Sequence, residues 1–294
     1  MIEAGEAISG LQRCGLSQVT TRTWTFEEDV AAYALGGWGA IGVWLQKLEE
    51  RHMGAFRFPS SCLSDDVVDL AAATLQAASL PVSHVVCAGL ITDPDKAELL
   101  ERVRHLRFAL DAARRFQAAC LIVIPGRLLG QPYQAAFDNA CRVLADVLDE
   151  LPNDSVRIAI EPVTDVDFAN TTGRALDLVE RLDHPALGVY LDTYHGWHEQ
   201  DLYEQIARAT GRIHGIHVAD GRPDSRERLV PGDGQIDLDA ILAATRAAGY
   251  RGTFDLELLG DEIWRIPPLD LLTTCAHRMQ QLSLAHDVPT AGRR

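Results

Sequence analysis

Four side chains able to hold a metal ion close four successive apolar runs. Glu161 follows IAI, Asp192 follows VYL, His217 follows HGI and Glu257 follows FDL. An ionised group at the end of such a run is costly without a partner. Three carboxylates brought to one place repel each other, and at least one stays protonated unless a cation is shared. One divalent ion per chain, bound by Glu161, Asp192, His217 and Glu257, is the simplest resolution. Three oxygen donors and one imidazole favour Mn2+ or Mg2+, with Co2+ and Zn2+ as alternatives.

The elements that must position these residues are legible as short β-branched runs alternating with longer helical patterns. Strands are expected at 17–21, 40–45, 82–88, 120–124, 156–161, 187–192, 213–219 and 253–258. Runs such as VRIAIE, LGVYLD and TFDLEL are near-continuously apolar, the pattern of buried parallel strands. Helical periodicity fills 64–79, 95–118, 133–150, 172–182, 200–209, 237–248 and 268–283. Thr25 followed by Glu28 has the spacing of a capping box, and Gly36–Gly37 supplies a stop. Alternating strands and helices imply parallel pairing through right-handed crossovers. No GxGxxG follows the first strand, which disfavours a doubly wound open sheet. The chain of 294 residues suits one barrel of ~250 residues with extensions. The expectation is therefore an α/β fold, a single (β/α)8 barrel over 1–284 with a flexible tail at 285–294. In such barrels catalytic groups gather at the C-terminal ends of the strands, where the four ligand candidates fall.

A net charge of −15 argues against a nucleic-acid partner or an anionic membrane surface. No apolar run reaches the ~18–20 residues of a membrane span, and MIEAGEAISGLQRCG lacks the pattern of a secretory signal. Six cysteines form no CxxC pair, and several sit inside apolar runs such as AACLIVI. That usage suits reduced thiols and a cytoplasmic location.

The runs IAIEPV, LDTYH, IHVAD, RLVPGDG and DLEL resemble the sugar phosphate isomerase/epimerase superfamily, the xylose-isomerase-like barrels. The resemblance covers about 17–283 and is strongest after residue 156. It implies one divalent metal on Glu161, Asp192, His217 and Glu257. By similarity to the ketose 3-epimerase branch, Glu161 and Glu257 are also the acid/base pair. His195, in LDTYH, matches a histidine that touches substrate hydroxyls. Arg228 opens the RxxPGxG-like motif whose arginine faces the substrate, with Arg226 as the fallback. Asp167 falls where some epimerases keep a glutamate for substrate, and its side chain is shorter. Asn170 or Thr171 is expected to cap the following helix, and Asp220 to orient His217 or its loop. His214, three residues before His217, is expected on the opposite side of the strand, packed under a helix. Trp24, Trp44, Trp197, Trp264 and Tyr194 fall near strand ends. Aromatic faces stack on sugars, so Trp24 is a substrate-binding candidate beside the plainer role of packing. Two stretches depart from the family pattern: SQVTTRTWTFEED lacks polar ligand-like residues, and HMGAFRFPSSCL is unusual.

The chemistry is coherent on its own terms. A metal gripping a ketone oxygen and its neighbouring hydroxyl acidifies the intervening C–H and stabilises an enediolate. A carboxylate on each face can then remove a proton and return it. The leading expectation is a metal-dependent isomerase or epimerase of a keto-sugar or related polyol, a small-molecule substrate. Two alternatives use the same scaffold. One is a lyase or dehydratase acting on a keto-inositol or keto-glycoside, with His195 as the acid. The other is a non-catalytic barrel subunit. A nuclease of the related endonuclease barrel needs extra metal ligands and a basic groove, and neither is visible. Barrels of this family often form dimers or tetramers, so a homo-oligomer is compatible with the sequence.

Overall fold

The structure, a computed structural model, describes residues 10–50, 63–87, 89–151 and 156–285. Its elements in chain order are β1 (Cys14–Ser17), α1 (Phe26–Leu35), β2 (Ala40–Trp44), α2 (Leu45–Glu49), α3 (Asp65–Ala77), β3 (Val82–Cys87), α4 (Lys96–Arg115), β4 (Cys120–Val123) and α5 (Tyr133–Leu148). There follow β5 (Arg157–Ile160), α6 (Thr172–Leu182), β6 (Leu187–Asp192), α7 (Thr193–Gly196), α8 (Leu202–Arg208), β7 (Ile213–Val218), α9 (Leu238–Ala247), β8 (Phe254–Leu256) and α10 (Pro268–Ala285). The strands pair in parallel in sequence order, and β1 pairs with β8 to close the barrel. The expected (β/α)8 architecture is the one observed. Of the expected tail, Ala285 ends α10 and 286–294 lie outside the described residues, as does nearly all of HMGAFRFPSSCL.

Local sequence explains the elements. Thr25 and Glu28 form the reciprocal capping box that starts α1, and Gly37 follows its end with φ +76°. In α4, Leu99, Val103, Leu106 and Leu110 are buried at helical spacing behind the N-cap Asp95. Thr171, not Asn170, caps α6 by accepting from Arg174 N–H. The helices lay such apolar faces on the outside of the sheet, where most of the core lies. The barrel interior holds a smaller cluster of Val86, Cys120, Ile122, Ala159 and Tyr190, with Trp44 against it.

The first strand differs from its expected position. It spans Cys14–Ser17, and Gln18–Thr21 form a 3-10 turn. Val19-Thr20-Thr21 has β-branched composition, but its hydroxyls are engaged off the ladder. Thr21 donates to Asp29 Oδ1 at 2.6 Å, and Thr20 Oγ1 accepts from Leu258 N–H at 3.0 Å. Such local side-chain bonds compete with strand pairing.

His214 also departs from expectation. Val189 pairs with Ile213 but Tyr190 pairs with Gly215, so His214 is an extra residue in the ladder. The two-residue period breaks there. Its ring lies against Gly188, on the inner side shared by Tyr190 and Asp192, with Arg157 Nη1 3.5 Å from Nδ1.

Candidate metal centre

β5, β6, β7 and β8 deliver Glu161, Asp192, His217 and Glu257 to the same end of the barrel. Each offers one ligand atom, and those atoms all lie within 4.8 Å of one another. All four side chains are buried. His217 Nδ1 is 2.7 Å from Glu161 Oε1, 3.4 Å from Glu257 Oε2 and 3.9 Å from Asp192 Oδ2.

Asp192 divides its carboxylate between two tasks. Oδ1 accepts from Tyr194 N–H and His195 N–H at 2.7 and 3.1 Å, capping the short helix α7. Oδ2 points to the cluster, is buried and accepts no hydrogen bond, although Arg228 Nη1 lies 2.9 Å away. Glu257 is held by Ser17, whose hydroxyl donates to Oε1 at 2.9 Å, and by Arg228 Nη1 on Oε2. Trp44 Nε1 in turn donates to Ser17 Oγ at 2.8 Å.

Arg228 and His195 form the wall beside these ligands. Arg228 Nη2 is 2.8 Å from His195 Nε2, and its guanidinium stands over the Tyr194 ring. His195 Nδ1 is 2.9 Å from Thr164 Oγ1. An arginine only donates, so His195 Nε2 accepts, while Nδ1 meets the Thr164 hydroxyl and, at 3.3 Å, the Thr164 backbone N–H. The loop carrying Arg228 is fixed by Asp220, whose carboxylate accepts from the backbone N–H groups of Gly221, Gly232 and Ile236. Asp220 and Leu229 exchange a pair of backbone bonds, both 2.8 Å. Asp220 therefore orders the arginine loop, one of the roles its position suggested.

The electrostatics follow from burial and crowding. Burial pushes the His217 imidazolium down, but Glu257 and Glu161 outweigh it and lift its pKa to about 9. Burial raises Glu161. Burial also opposes ionisation of Asp192, yet Arg228, His195 and His217 hold it below the usual carboxylate range. His195 is pushed down to about 4, chiefly by burial, and is neutral at pH 7.

The residues fit a divalent cation. Three carboxylates against one guanidinium leave two negative charges, which one divalent ion would neutralise with His217 uncharged. Asp192 Oδ2 is the unsatisfied acceptor such an ion would satisfy. A polar atom buried in this way is otherwise costly.

The structure thus brings Glu161, Asp192, His217, Glu257, His195 and Arg228 together. Among the described residues no hydrogen bond or ion pair ties Asp167 or Trp24 to this group. Asp167 Oδ1 accepts from Leu128 N–H at 2.8 Å, tying the β5 loop to the β4 loop. Trp24 is half-buried in the turn before α1, its backbone N–H on Thr21 O. Sequence reasoning missed Ser17 because the first strand was read several residues late. It also missed His84, Tyr190 and Asp255, which lie beneath His217 inside the barrel. Tyr190 and Asp255 sit two residues before Asp192 and Glu257, so the two-residue strand period already placed them on the same face.

A family model described as xylose isomerase-like TIM barrel matches residues 45–278. An L-ribulose 3-epimerase from Mesorhizobium japonicum is 26% identical over 208 residues, 67% of this chain and 68% of that protein. A ketose 3-epimerase from Arthrobacter globiformis is 26% identical over 132 residues, covering 44% of each. A 3-dehydroshikimate dehydratase from Pseudomonas putida is 34% identical over 115 residues, 36% of this chain and 18% of that protein. The matches to these last two therefore span less than half of either relative. Among solved structures, a Sinorhizobium meliloti 1021 protein superposes with a TM-score of 0.81 at 28% identity, covering 93% of this chain and 98% of that one.

Proposed function

Because the chain belongs to the xylose isomerase-like TIM-barrel family, we propose that it is a divalent-metal-dependent sugar isomerase or epimerase acting on a keto-sugar or related polyol. The observation that carries this reading is the convergence of Glu161, Asp192, His217 and Glu257 within 4.8 Å at one barrel end. A divalent ion held there supplies Lewis acidity to a carbonyl and its neighbouring hydroxyl. The oxygen-rich donor set suits Mn2+ or Mg2+. Glu161 and Glu257 then exchange the proton beside the carbonyl, one removing it and the other returning it. Ser17 and Arg228 hold the Glu257 carboxylate in place through separate oxygens. Arg228 and His195 lie side by side next to the ligand cluster, which supports a substrate-facing role for both. Among the described residues Cys14, Cys120, Cys141 and Cys275 form no disulfide, which supports a reducing, cytoplasmic setting.

The position of His195 favours proton exchange over elimination. A lyase needs an acid at the leaving group. His195 is neutral, and both its ring nitrogens are engaged, Nε2 by Arg228 and Nδ1 by Thr164, so neither faces a leaving group. The relatives include epimerases and a dehydratase, so product analysis decides. Metal-loaded protein is incubated with ketoses, keto-inositols and keto-glycosides, and the products are identified by NMR. An epimer or isomer is expected; a dehydrated or cleaved product would overturn the isomerase reading in favour of a lyase.

A further inference from the structure

Beneath His217 the barrel interior holds three polar side chains that the proposed reaction leaves unused. His84, Tyr190 and Asp255 come from β3, β6 and β8, and each is at most 1% exposed. They form one chain with the ligand histidine. His217 Nε2 is 3.2 Å from His84 Nε2, His84 Nδ1 is 2.9 Å from Tyr190 Oη, and Tyr190 donates to Asp255 Oδ2 at 2.6 Å. Ser83 Oγ lies 3.0 Å from His84 Nδ1, and Thr253 donates to Asp255 at 3.2 Å.

The barrel makes room for each member separately. Across the strand ladder His84 faces Gly42, Tyr190 faces Gly215 and Asp255 faces Gly15. A Cβ at any of these three glycines would overlap the side chain opposite. Burying a carboxylate, a phenol and an imidazole carries a desolvation cost that their hydrogen bonds offset only in part. An apolar interior of the same volume would pack without that cost, so the network calls for a function.

Its polarity is fixed from one end. Tyr190 gives its proton to Asp255 Oδ2 and leaves an oxygen lone pair for His84 Nδ1–H. His84 Nε2 then carries a lone pair, and the proton between the two imidazoles belongs to His217 Nε2. We propose that Asp255, Tyr190 and His84 are a positioning relay that keeps the proton of His217 on Nε2 and presents its Nδ1 lone pair to the metal. The inference rests on the metal reading above, and its test separates the two. None of the three is a catalytic residue; they act through His217.

The test uses the full chain, 15N-labelled, with Zn2+ as probe. NMR should find the shared proton on His217 Nε2, with scalar coupling through the hydrogen bond to His84 Nε2. Competition against a chromophoric chelator should give His84→Phe a Zn2+ affinity weaker by about 10–100-fold. His84→Gln, whose amide oxygen can accept from His217, should stay within a few-fold of wild type. Should the phenylalanine variant fail to fold, Tyr190→Phe serves, with Zn2+ weakened several-fold and the His217 proton shifted. A shared proton on His84, or wild-type Zn2+ affinity in His84→Phe or Tyr190→Phe, would overturn the relay. A wild-type chain that binds no Zn2+ overturns the metal reading, while the proton's location in that same chain, read at a pH where His217 is neutral, still decides the relay.

Discussion

On the proposed reading, metal binding and proton transfer meet on Glu257. One oxygen takes the Ser17 hydroxyl, the other faces Arg228 and His217, and the side chain is 4% exposed. Glutamine keeps its volume but removes the charge and the basic oxygen. Glu257→Gln should therefore lower kcat by at least about 100-fold and weaken metal binding, while circular dichroism and the thermal midpoint stay close to wild type. Full activity in this variant would remove Glu257 from the acid/base pair. The four candidate ligands were legible because each ends an apolar run. Ser17 was not: Val19-Thr20-Thr21 carries the composition of a strand, and only tertiary partners such as Asp29 and Leu258 turn it into a 3-10 turn. Asp167 had the right sequence position for substrate, but a side chain satisfied by a neighbouring loop's N–H leaves no trace in sequence.

At the scale of elements, the loops around the barrel mouth are held by buried polar anchors. Asp220 gathers three backbone N–H groups of the loop that presents Arg228. Asp220→Ala leaves those donors unpaired, so we expect a loss of about 1–3 kcal/mol in urea unfolding and a raised KM. An unchanged KM would mean the loop orders itself without Asp220. Beside β1 and β2, Asp29 of α1 and Lys47 of α2 form an ion pair with both side chains 0% exposed, and Gln18 and Thr21 join it. Burial lifts the Asp29 carboxyl to about 6 despite Lys47. A folded value above the unfolded one of about 3.9 means stability that is full below that pH and is lost as pH rises through 6. From about pH 4 to 7 the wild type should thus lose up to about 3 kcal/mol relative to Asp29→Asn. Urea midpoints of both proteins across that range check it, and a constant difference would contradict it. The bulge at His214 shows why strand period alone misplaces a residue: one extra residue in the β6–β7 ladder reverses the side it faces.

For the molecule as a whole, the alternation of runs was enough to read a closed barrel. β6 and α6 fall on their expected residues, because apolar strands and capped amphipathic helices specify themselves locally. The internal network of His84, Tyr190 and Asp255 depends instead on which strands face each other once the barrel closes. That information is global, and single-sequence reading does not reach it. The acidic balance of −15 is consistent with a small-molecule enzyme, and among the described residues no helix is long and apolar enough to cross a membrane. The central claim is that these four strand ends hold one divalent ion and use it for proton exchange. Chelator-stripped protein should be titrated with Mn2+ in D2O with a panel of ketoses and keto-inositols, following bound metal and substrate deuterium together. The account predicts saturation near one ion per chain, with deuterium entering beside the carbonyl in proportion to bound metal. No stoichiometric binding of Mn2+, Mg2+, Co2+ or Zn2+, or exchange that proceeds equally without metal, would contradict it.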